Sequence, residues 1–276
     1  MEAYREKREQ LHRLMNQYTK GNAAVAFSGG ADSSLLLKLA VAHGKENGSQ
    51  VFAFTVCGEL HPAADRRIAG EVAREAGAIH RILEVRELER GDIRNNPVDR
   101  CYQCKKYLFE KIREAAGDMG AFVVLEGTNT DDLLQYRPGL RAIEELGIKS
   151  PLKEAGFTKA EVRALAKELG ISVADRPSAP CLATRFPYGE ELTMEKLKQV
   201  EQGEEYLRSI GAGNLRLRVH GDIARIEADG DQMGALLERR AGITKYLKEL
   251  GYGYITLDLE GFRSGSMDQD LDRGNG

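Results

Sequence analysis

Residues 23–40 constrain the fold more than any other stretch. A short apolar run, Ala23-Ala24-Val25-Ala26-Phe27, leads into Ser28-Gly29-Gly30-Ala31-Asp32-Ser33-Ser34 and then into Leu35-Leu36-Leu37-Lys38-Leu39-Ala40. The pattern predicts a strand, a glycine-rich turn and a helix, in that order. Backbone N–H groups at such a turn, with the helix dipole behind them, favour a bound anion. Gly29 and Gly30 let the backbone approach a phosphate and take torsions closed to other residues. Asp32, Ser33 and Ser34 fall in the first helical turn, where they cap N–H groups or face a metal–phosphate unit. The plain alternative is a glycine turn with an Asp/Ser helix cap.

The same alternation continues downstream. A helix over 3–20 precedes the first strand, with Leu11, Leu14, Met15 and Tyr18 on one stripe. Strands are predicted at 51–56, 79–85 and 122–125, and helices from Pro62 at the first position to Ala76, and over 103–116. The strands are continuously apolar, which predicts a doubly wound parallel sheet with helices on both faces. Ligands in such sheets bind beyond the carboxyl ends of the strands, so the loops at Ser28, Cys57 and Gly127 should face one crevice. Thr158 and Glu161 fit a capping box opening a helix that stops at Gly170. Then Asp175 to Gly189 holds three prolines in an irregular loop. Beyond it come a helix at 193–210, strands at 214–219 and 223–228, a helix at 231–249 and a strand at 254–259. The expected organisation is an α/β domain over 1–189, a smaller α+β domain over 190–265 and a disordered tail over 266–276.

With 276 residues the chain is comfortable for two domains. Its 40 basic and 43 acidic residues leave a formal charge of -3, which argues against a general nucleic-acid or membrane surface. No apolar run approaches a membrane span. The opening Met1-Glu2-Ala3-Tyr4-Arg5-Glu6-Lys7 lacks the apolar core of a signal peptide, so the expected location is the cytoplasm.

In a reducing compartment, cysteines at short spacing point to metal, cluster or redox chemistry before a structural disulfide. Cys101 and Cys104 form a Cys-x-x-Cys pair at the opening of a predicted helix, among Arg100, Lys105 and Lys106. Cys181, in the proline-rich loop, is the obvious third ligand. Three cysteines suit a [4Fe–4S] cluster with one open iron. Sulfur delivery or redox chemistry without a cluster, and a zinc site, remain alternatives. Cys57 reads as a small filler near the nucleotide pocket.

Ser28-Gly29-Gly30-Ala31-Asp32-Ser33 departs from the Gly-x-x-x-x-Gly-Lys-Ser/Thr loop of kinases and resembles the PP-loop of ATP pyrophosphatases. Further segments extend the likeness. They are Asn96-Pro97-Val98-Asp99-Arg100-Cys101-Tyr102-Gln103-Cys104-Lys105, Glu126-Gly127-Thr128-Asn129 and Pro177-Ser178-Ala179-Pro180-Cys181-Leu182-Ala183-Thr184-Arg185. Near the C-terminus stand Leu215 to Gly221, Ala224 to Glu227 and Leu257 to Arg263. Together these resemble a LarE-type ATP-dependent sulfur transferase, from the pathway to the nickel-pincer nucleotide cofactor.

The resemblance implies a substrate, pyridinium-3,5-biscarboxylic acid mononucleotide, whose carboxylates are adenylated by ATP and converted to thiocarboxylates. It implies that Asp32 holds Mg²⁺, that Ser28, Gly29, Gly30, Ser33 and Ser34 cradle pyrophosphate, and that Thr55, Val56, Gly127, Thr128 and Asn129 frame the nucleoside. Arg216, Arg218 and Arg263 are candidates for the substrate phosphate, because arginine grips phosphate bidentately. Ordinary arginines on a solvated strand face are the alternative. Glu204 is placed near that site by the resemblance alone. The family has a type in which the cysteine matching Cys181 surrenders its sulfur, and a type in which three cysteines hold a [4Fe–4S] cluster. Cys101 and Cys104 align this chain with the cluster type. Similar proteins form hexamers. Two rivals are an amide-forming PP-loop ligase and an ATP-binding regulatory module whose cysteines sense redox state.

Overall fold

The computed structural model describes residues 2–134, 137–177, 180–263 and 265–267. In chain order the regular elements of the first half are α1 (Glu2–Tyr18), β1 (Ala23–Ala26), α2 (Ala31–Asn47), β2 (Val51–Cys57), α3 (Ala63–Ala76), β3 (Ile79–Glu84), α4 (Gly91–Arg94), α5 (Arg100–Gly117) and β4 (Val123–Leu125). They are followed by α6 (Gly139–Glu145), α7 (Pro151–Glu154), α8 (Lys159–Glu168), α9 (Met194–Ser209), β5 (Leu215–His220), β6 (Ile223–Ala228), α10 (Met233–Glu238), α11 (Arg240–Glu249) and β7 (Tyr254–Leu257).

These elements fall into two compact units. One comprises Met1–Arg86 and Asp99–Ser178, the other Glu87–Val98 and Ala179–Gly276. The first unit is built on a four-stranded parallel sheet of order β3-β2-β1-β4. The strand order reverses at β1, so the crevice at the carboxyl ends of β1 and β4 is the place where such sheets take ligands. One face is closed by α1, α2, α3 and α8, whose Leu11, Leu35, Leu36, Ala73, Val162 and Leu165 share a core with Val25. The other face is closed by α5 and α6 through Phe109, Ile112 and Ile143 against Phe52, Phe54 and Val124. Burial on both faces explains the apolar runs of β1, β2 and β4, whereas the edge strand β3 carries His80, Arg81 and Glu84 and is half-buried to exposed. Among the described residues, no helix is long and apolar enough to cross a membrane.

The second unit holds a three-stranded sheet of order β5-β6-β7, with β5 antiparallel to β6 and β6 parallel to β7. It also claims residues 87–98. Asn96 is wholly buried and sits at φ 48°, a left-handed torsion that asparagine tolerates better than most residues. Its Nδ2 donates to Pro187 O at 2.7 Å, and its carbonyl accepts from Gly189 N at 2.8 Å. Leu192 N donates to Arg94 O at 2.8 Å. These bonds fasten the excursion after β3 to the chain that follows Cys181. The units therefore divide ahead of Cys181 rather than at 189/190.

Smaller departures have local causes. Pro62 is the residue that caps α3 rather than its first helical residue, with φ -56° and ψ 135°. The helix expected over 231–249 is a 3₁₀ turn at 230–232 followed by α10 and α11, which break at Arg239. The tail expected to be disordered from 266 begins with a buried Ser266, whose Oγ donates to Glu227 Oε1 at 2.7 Å. Residues 268–276 of that tail lie outside the described residues.

Candidate functional site

β1 delivers the chain into the glycine turn. Gly29 has φ +69°, and a Cβ there would lie 3.0 Å from the backbone N and Cα of Ala69 on α3. Both facts require glycine, and together they press the loop against α3. Gly30 caps α2 with extended torsions and no side-chain cap, so backbone N–H groups at the start of α2 point into the crevice. Ser33 folds back over the turn. Its Oγ donates to Gly30 O at 3.3 Å and lies 3.2 Å from Ser28 Oγ. These hydroxyls and N–H groups gather at the N-terminus of the 17-residue α2, an arrangement whose dipole and free donors suit an anion. Ser34 is different. It is buried, and its Oγ has no hydrogen-bond partner among the described residues. It lines a separate cavity of about 260 Å³ with Lys38, Val72 and Ser172.

Asp32 occupies the first turn of α2 and is held from two sides. Asn129 Nδ2 donates to Oδ1 at 3.2 Å, and the Lys159 ammonium contacts Oδ2. Gly127 makes this possible, because a Cβ there would stand 3.0 Å from Asp32 Cβ and 3.1 Å from Ser33 N. The loop after β4 is braced from beneath. Buried Glu126 accepts from Thr128 N at 3.0 Å, from Thr128 Oγ1 at 2.8 Å and from Ser150 Oγ. Thr128 is thus tied down, its N–H and hydroxyl by Glu126 and its carbonyl by Lys153 N at 3.0 Å. The same holds for Thr55, whose Oγ1 donates to Phe27 O at 2.8 Å and lies 2.8 Å from His80 Nε2. Burial pushes the His80 imidazole below its usual range. Val56, next on β2, is half-buried.

Two further cations stand at this crevice and were not singled out from sequence: Lys159 and Arg176. Arg176 donates to Gly29 O at 3.2 Å and pairs with Asp65 at 2.5 Å. No local motif marks either residue, since each lies more than 120 positions from its partner in the loop.

Cys101 and Cys104 lie in the first turns of α5, three residues apart on one side of the helix. The Arg100 guanidinium donates to Cys101 Sγ at 3.3 Å. Tyr102 anchors this end of the helix. Its hydroxyl donates to Glu145 at 2.7 Å, and the Arg141 guanidinium stacks 3.6 Å from its ring. None of the four cysteines forms a disulfide. Cys101, Cys104 and Cys57 belong to the first unit and Cys181 to the second. Among the described residues, no three His, Cys, Asp or Glu side chains gather as a metal-binding group.

In the second unit, Cys181 precedes a 3₁₀ turn over Leu182–Arg185. That turn wraps around the buried Arg185 guanidinium, which donates to Pro180 O at 2.8 Å and Cys181 O at 3.1 Å. Glu204 on α9 grips the same guanidinium bidentately at 2.8 and 2.9 Å and accepts from Leu217 N at 3.1 Å. Burial opposes ionisation of Glu204, but the Arg185 bonds and charge, with Arg208, outweigh it and hold the carboxyl below its usual range. Arg216 and Arg218 are buried neighbours on β5. Arg218 Nε donates to Glu227 at 3.0 Å, and its NH1 to Thr184 O at 2.8 Å. The Arg216 guanidinium lies 5.1 Å from the Phe262 ring. Burial, then the nearby Arg185 charge, lowers its pKa to about 10. Arg263 is set apart from these two, paired with Asp258 at 3.5 Å and with exposed Glu260 at 2.7 Å.

Comparison with known proteins gives the following. The PP-loop domain family model (ATP_bind_3) matches residues 3–135. The pyridinium-3,5-bisthiocarboxylic acid mononucleotide synthase of Lactiplantibacillus plantarum is 40% identical over 248 residues, covering 90% of this chain and 89% of that protein. An uncharacterized protein of Synechocystis sp. is 36% identical, covering 90% and 92% respectively. One of Methanocaldococcus jannaschii is 32% identical, covering 91% and 94%. Among solved structures, NMN synthetase from Francisella tularensis aligns with 63% of this chain and 75% of its own at 16% identity and a TM-score of 0.48.

Proposed function

This chain belongs to the LarE-type family of PP-loop ATP-utilising proteins, and on that premise we propose that it is an ATP-dependent sulfur transferase acting on pyridinium-3,5-biscarboxylic acid mononucleotide. The observation that carries this reading is the 40% identity, over nine-tenths of both chains, to a synthase named for the bisthiocarboxylic product. Carboxylate oxygen is a poor leaving group. Attack of that oxygen on the α-phosphate of ATP expels pyrophosphate and leaves an acyl adenylate. Sulfur then attacks the acyl carbon and AMP departs.

The chain supplies the parts for both halves. Ser28, Ser33 and the N–H groups opening α2 receive the pyrophosphate. Asp32 directs Mg²⁺, which neutralises charge on the phosphates when bound. The strand end at Thr55-Val56 and the loop at Gly127-Thr128-Asn129 frame the nucleoside. Arg216 and Arg218 receive the substrate phosphate, with Arg263 an outer member of the same arginine set. Glu204 acts through Arg185, fixing the turn that presents Cys181.

For the sulfur, Cys101, Cys104 and Cys181 would be the ligands of a [4Fe–4S] cluster. The donor set suits it, since three thiols without a fourth leave one iron open. Bound there, the cluster supplies a site that carries sulfide. A second reading is sacrifice of Cys181 alone, whose turn Arg185 holds through the carbonyls of Pro180 and Cys181.

The family resemblance also carries a cytoplasmic hexamer, which sedimentation would test. The main experiment is anaerobic purification and iron and sulfide analysis, followed by reaction with ATP and the biscarboxylate. Substrate-dependent pyrophosphate release with thiocarboxylate product supports the enzyme, and ATP binding without turnover supports the regulatory module instead. Each of Cys101→Ser, Cys104→Ser and Cys181→Ser should lose iron and repeated turnover yet still bind ATP. A protein about 34 Da lighter after one sulfur transferred, with Cys101 and Cys104 dispensable, would establish sacrifice of Cys181.

A further inference from the structure

The second half of α1 and the last turns of α2 lie side by side, at the opposite end of α2 from the glycine turn, and they bring two histidines together. His12 Nδ1 and His43 Nε2 are 3.0 Å apart, with the rings edge to face at 70°. The other nitrogen of His43, Nδ1, meets Glu46 Oε2 at 3.0 Å. An ionised carboxylate only accepts, so Glu46 holds the His43 proton at Nδ1 and leaves Nε2 bare toward His12. The helices are locked around the pair. Leu11, Leu14 and Met15 of α1 are core residues. One turn beyond the histidines, Asn47 Nδ2 donates to Asn16 O and to Thr19 Oγ1, each at 3.1 Å. Both imidazoles are open to solvent, His12 exposed and His43 half-buried.

We propose that His12 and His43 form a chelating site for a divalent d-block cation, with Cu²⁺ the tightest, that ties α1 to α2. Metal–imidazole bonds are about 2.0–2.1 Å long, so an ion bound to two nitrogens 3.0 Å apart subtends an angle of about 90°. That angle belongs to tetragonal coordination rather than to the wider tetrahedral arrangement of zinc. Small turns of the two rings redirect their lone pairs from each other to the ion. Binding asks only that neutral His12 carry its proton on Nε2 instead of Nδ1, so no proton is lost. Two side-chain ligands leave the remaining positions to water. Glu46 supplies the support that a metal-bound imidazole commonly has, a carboxylate on its other nitrogen. The surrounding charges favour a neutral ligand. Burial, then the His43 and Arg8 charges, holds the His12 imidazole below its usual range. Arg8, the nearby cation that would repel a metal, is engaged bidentately by Glu168 of α8 at 2.7 and 2.8 Å. The site stands apart from the nucleotide chemistry and does not depend on it.

The test is titration of the full chain with Cu²⁺, followed by electron paramagnetic resonance, after the thiols have been capped with iodoacetamide so that cysteine neither binds nor reduces the ion. The wild-type protein should take up an ion whose hyperfine structure shows two nitrogens, and its thermal unfolding should move upward with added metal. His12→Ala and His43→Ala should each lose both the two-nitrogen signal and the metal-dependent shift. Their metal-free melting temperatures should stay close to wild type, since the pair lies at the surface. Glu46→Gln should keep the signal and weaken binding about ten- to a hundredfold. Absence of a two-nitrogen signal in the wild-type protein overturns the site. So does a signal that survives in either alanine variant, which would move the ion to the remaining histidines, His61, His80 or His220.

Discussion

The two units carry charge in opposite ways. The phosphate loop of the first is made of backbone, two glycines and small hydroxyls, with Asp32 and Lys159 only partly buried at its mouth. The arginine set of the second is built from side chains, with Arg185, Glu204, Arg218 and Glu227 almost wholly withdrawn from solvent. A backbone cradle tolerates loss of a charge without unfolding, because peptide N–H groups and helix dipole remain. A buried guanidinium–carboxylate pair does not, because removing one partner strands the other in a medium that solvates it poorly. The same substitution should therefore abolish chemistry in one unit and stability in the other.

Glu204→Ala makes the strongest case. It leaves Arg185 buried and unpaired and should destabilise the second unit by about 3–5 kcal/mol in chemical denaturation. The Cys181 turn should loosen with it. The pH profile sharpens this. The Glu204 pKa is depressed on folding, so its contribution is complete above the unfolded value of 4.5 and is lost as pH falls through the folded value. Unfolding followed from pH 7 downward should show that acid-labile component, and Glu204→Gln should flatten it. A wild-type unit whose stability stayed level through that range would remove the ion pair from the explanation.

Asp32→Ala is expected to behave in the reverse manner. Substrate-dependent pyrophosphate release should fall about 10²–10³-fold, the scale of a lost transition-state electrostatic group. The melting temperature should hardly move. Normal pyrophosphate release by this variant would remove Asp32 from the reaction. The smallest effect belongs to the scaffold beneath Lys159. Thr158→Ala breaks the capping box of α8 and should cost about 1 kcal/mol of stability, measured by thermal unfolding. ATP affinity should weaken only slightly, since Asp131 still holds the Lys159 backbone. A large loss of ATP affinity in this variant would tie the cap itself to nucleotide binding.

Sequence legibility follows the same divide. The phosphate loop was readable because its chemistry is local: glycines, a carboxylate and hydroxyls sit within seven residues of a strand end. The parallel sheet was readable because β1, β2 and β4 are apolar on both faces. Lys159 and Arg176 were not, because their partners lie more than 110 positions away and only the crossing of α8 and the following turn over α2 brings them there. Nor was the membership of residues 87–98 in the second unit, which depends on buried Asn96 reaching Pro187. Arg216 and Arg218 could be placed on one strand from spacing alone, but their burial, and the pairing of Arg218 with Glu227, needed β6. Arg263, the outermost of the three, pairs with Asp258 and Glu260, which its place in the sequence did not show.

The division of labour between the two sites is tested most directly by titrating ATP and the biscarboxylate mononucleotide separately into Gly29→Ala and Arg216→Ala. Gly29→Ala puts a Cβ against the backbone of Ala69 at a left-handed torsion and should weaken ATP while leaving the mononucleotide nearly unchanged. Arg216→Ala should do the opposite, costing about 1.5–3 kcal/mol of mononucleotide affinity and little of ATP. That crossed pattern is the expected result. Loss of ATP binding in Arg216→Ala with the mononucleotide unaffected would contradict it and exchange the roles of the two units.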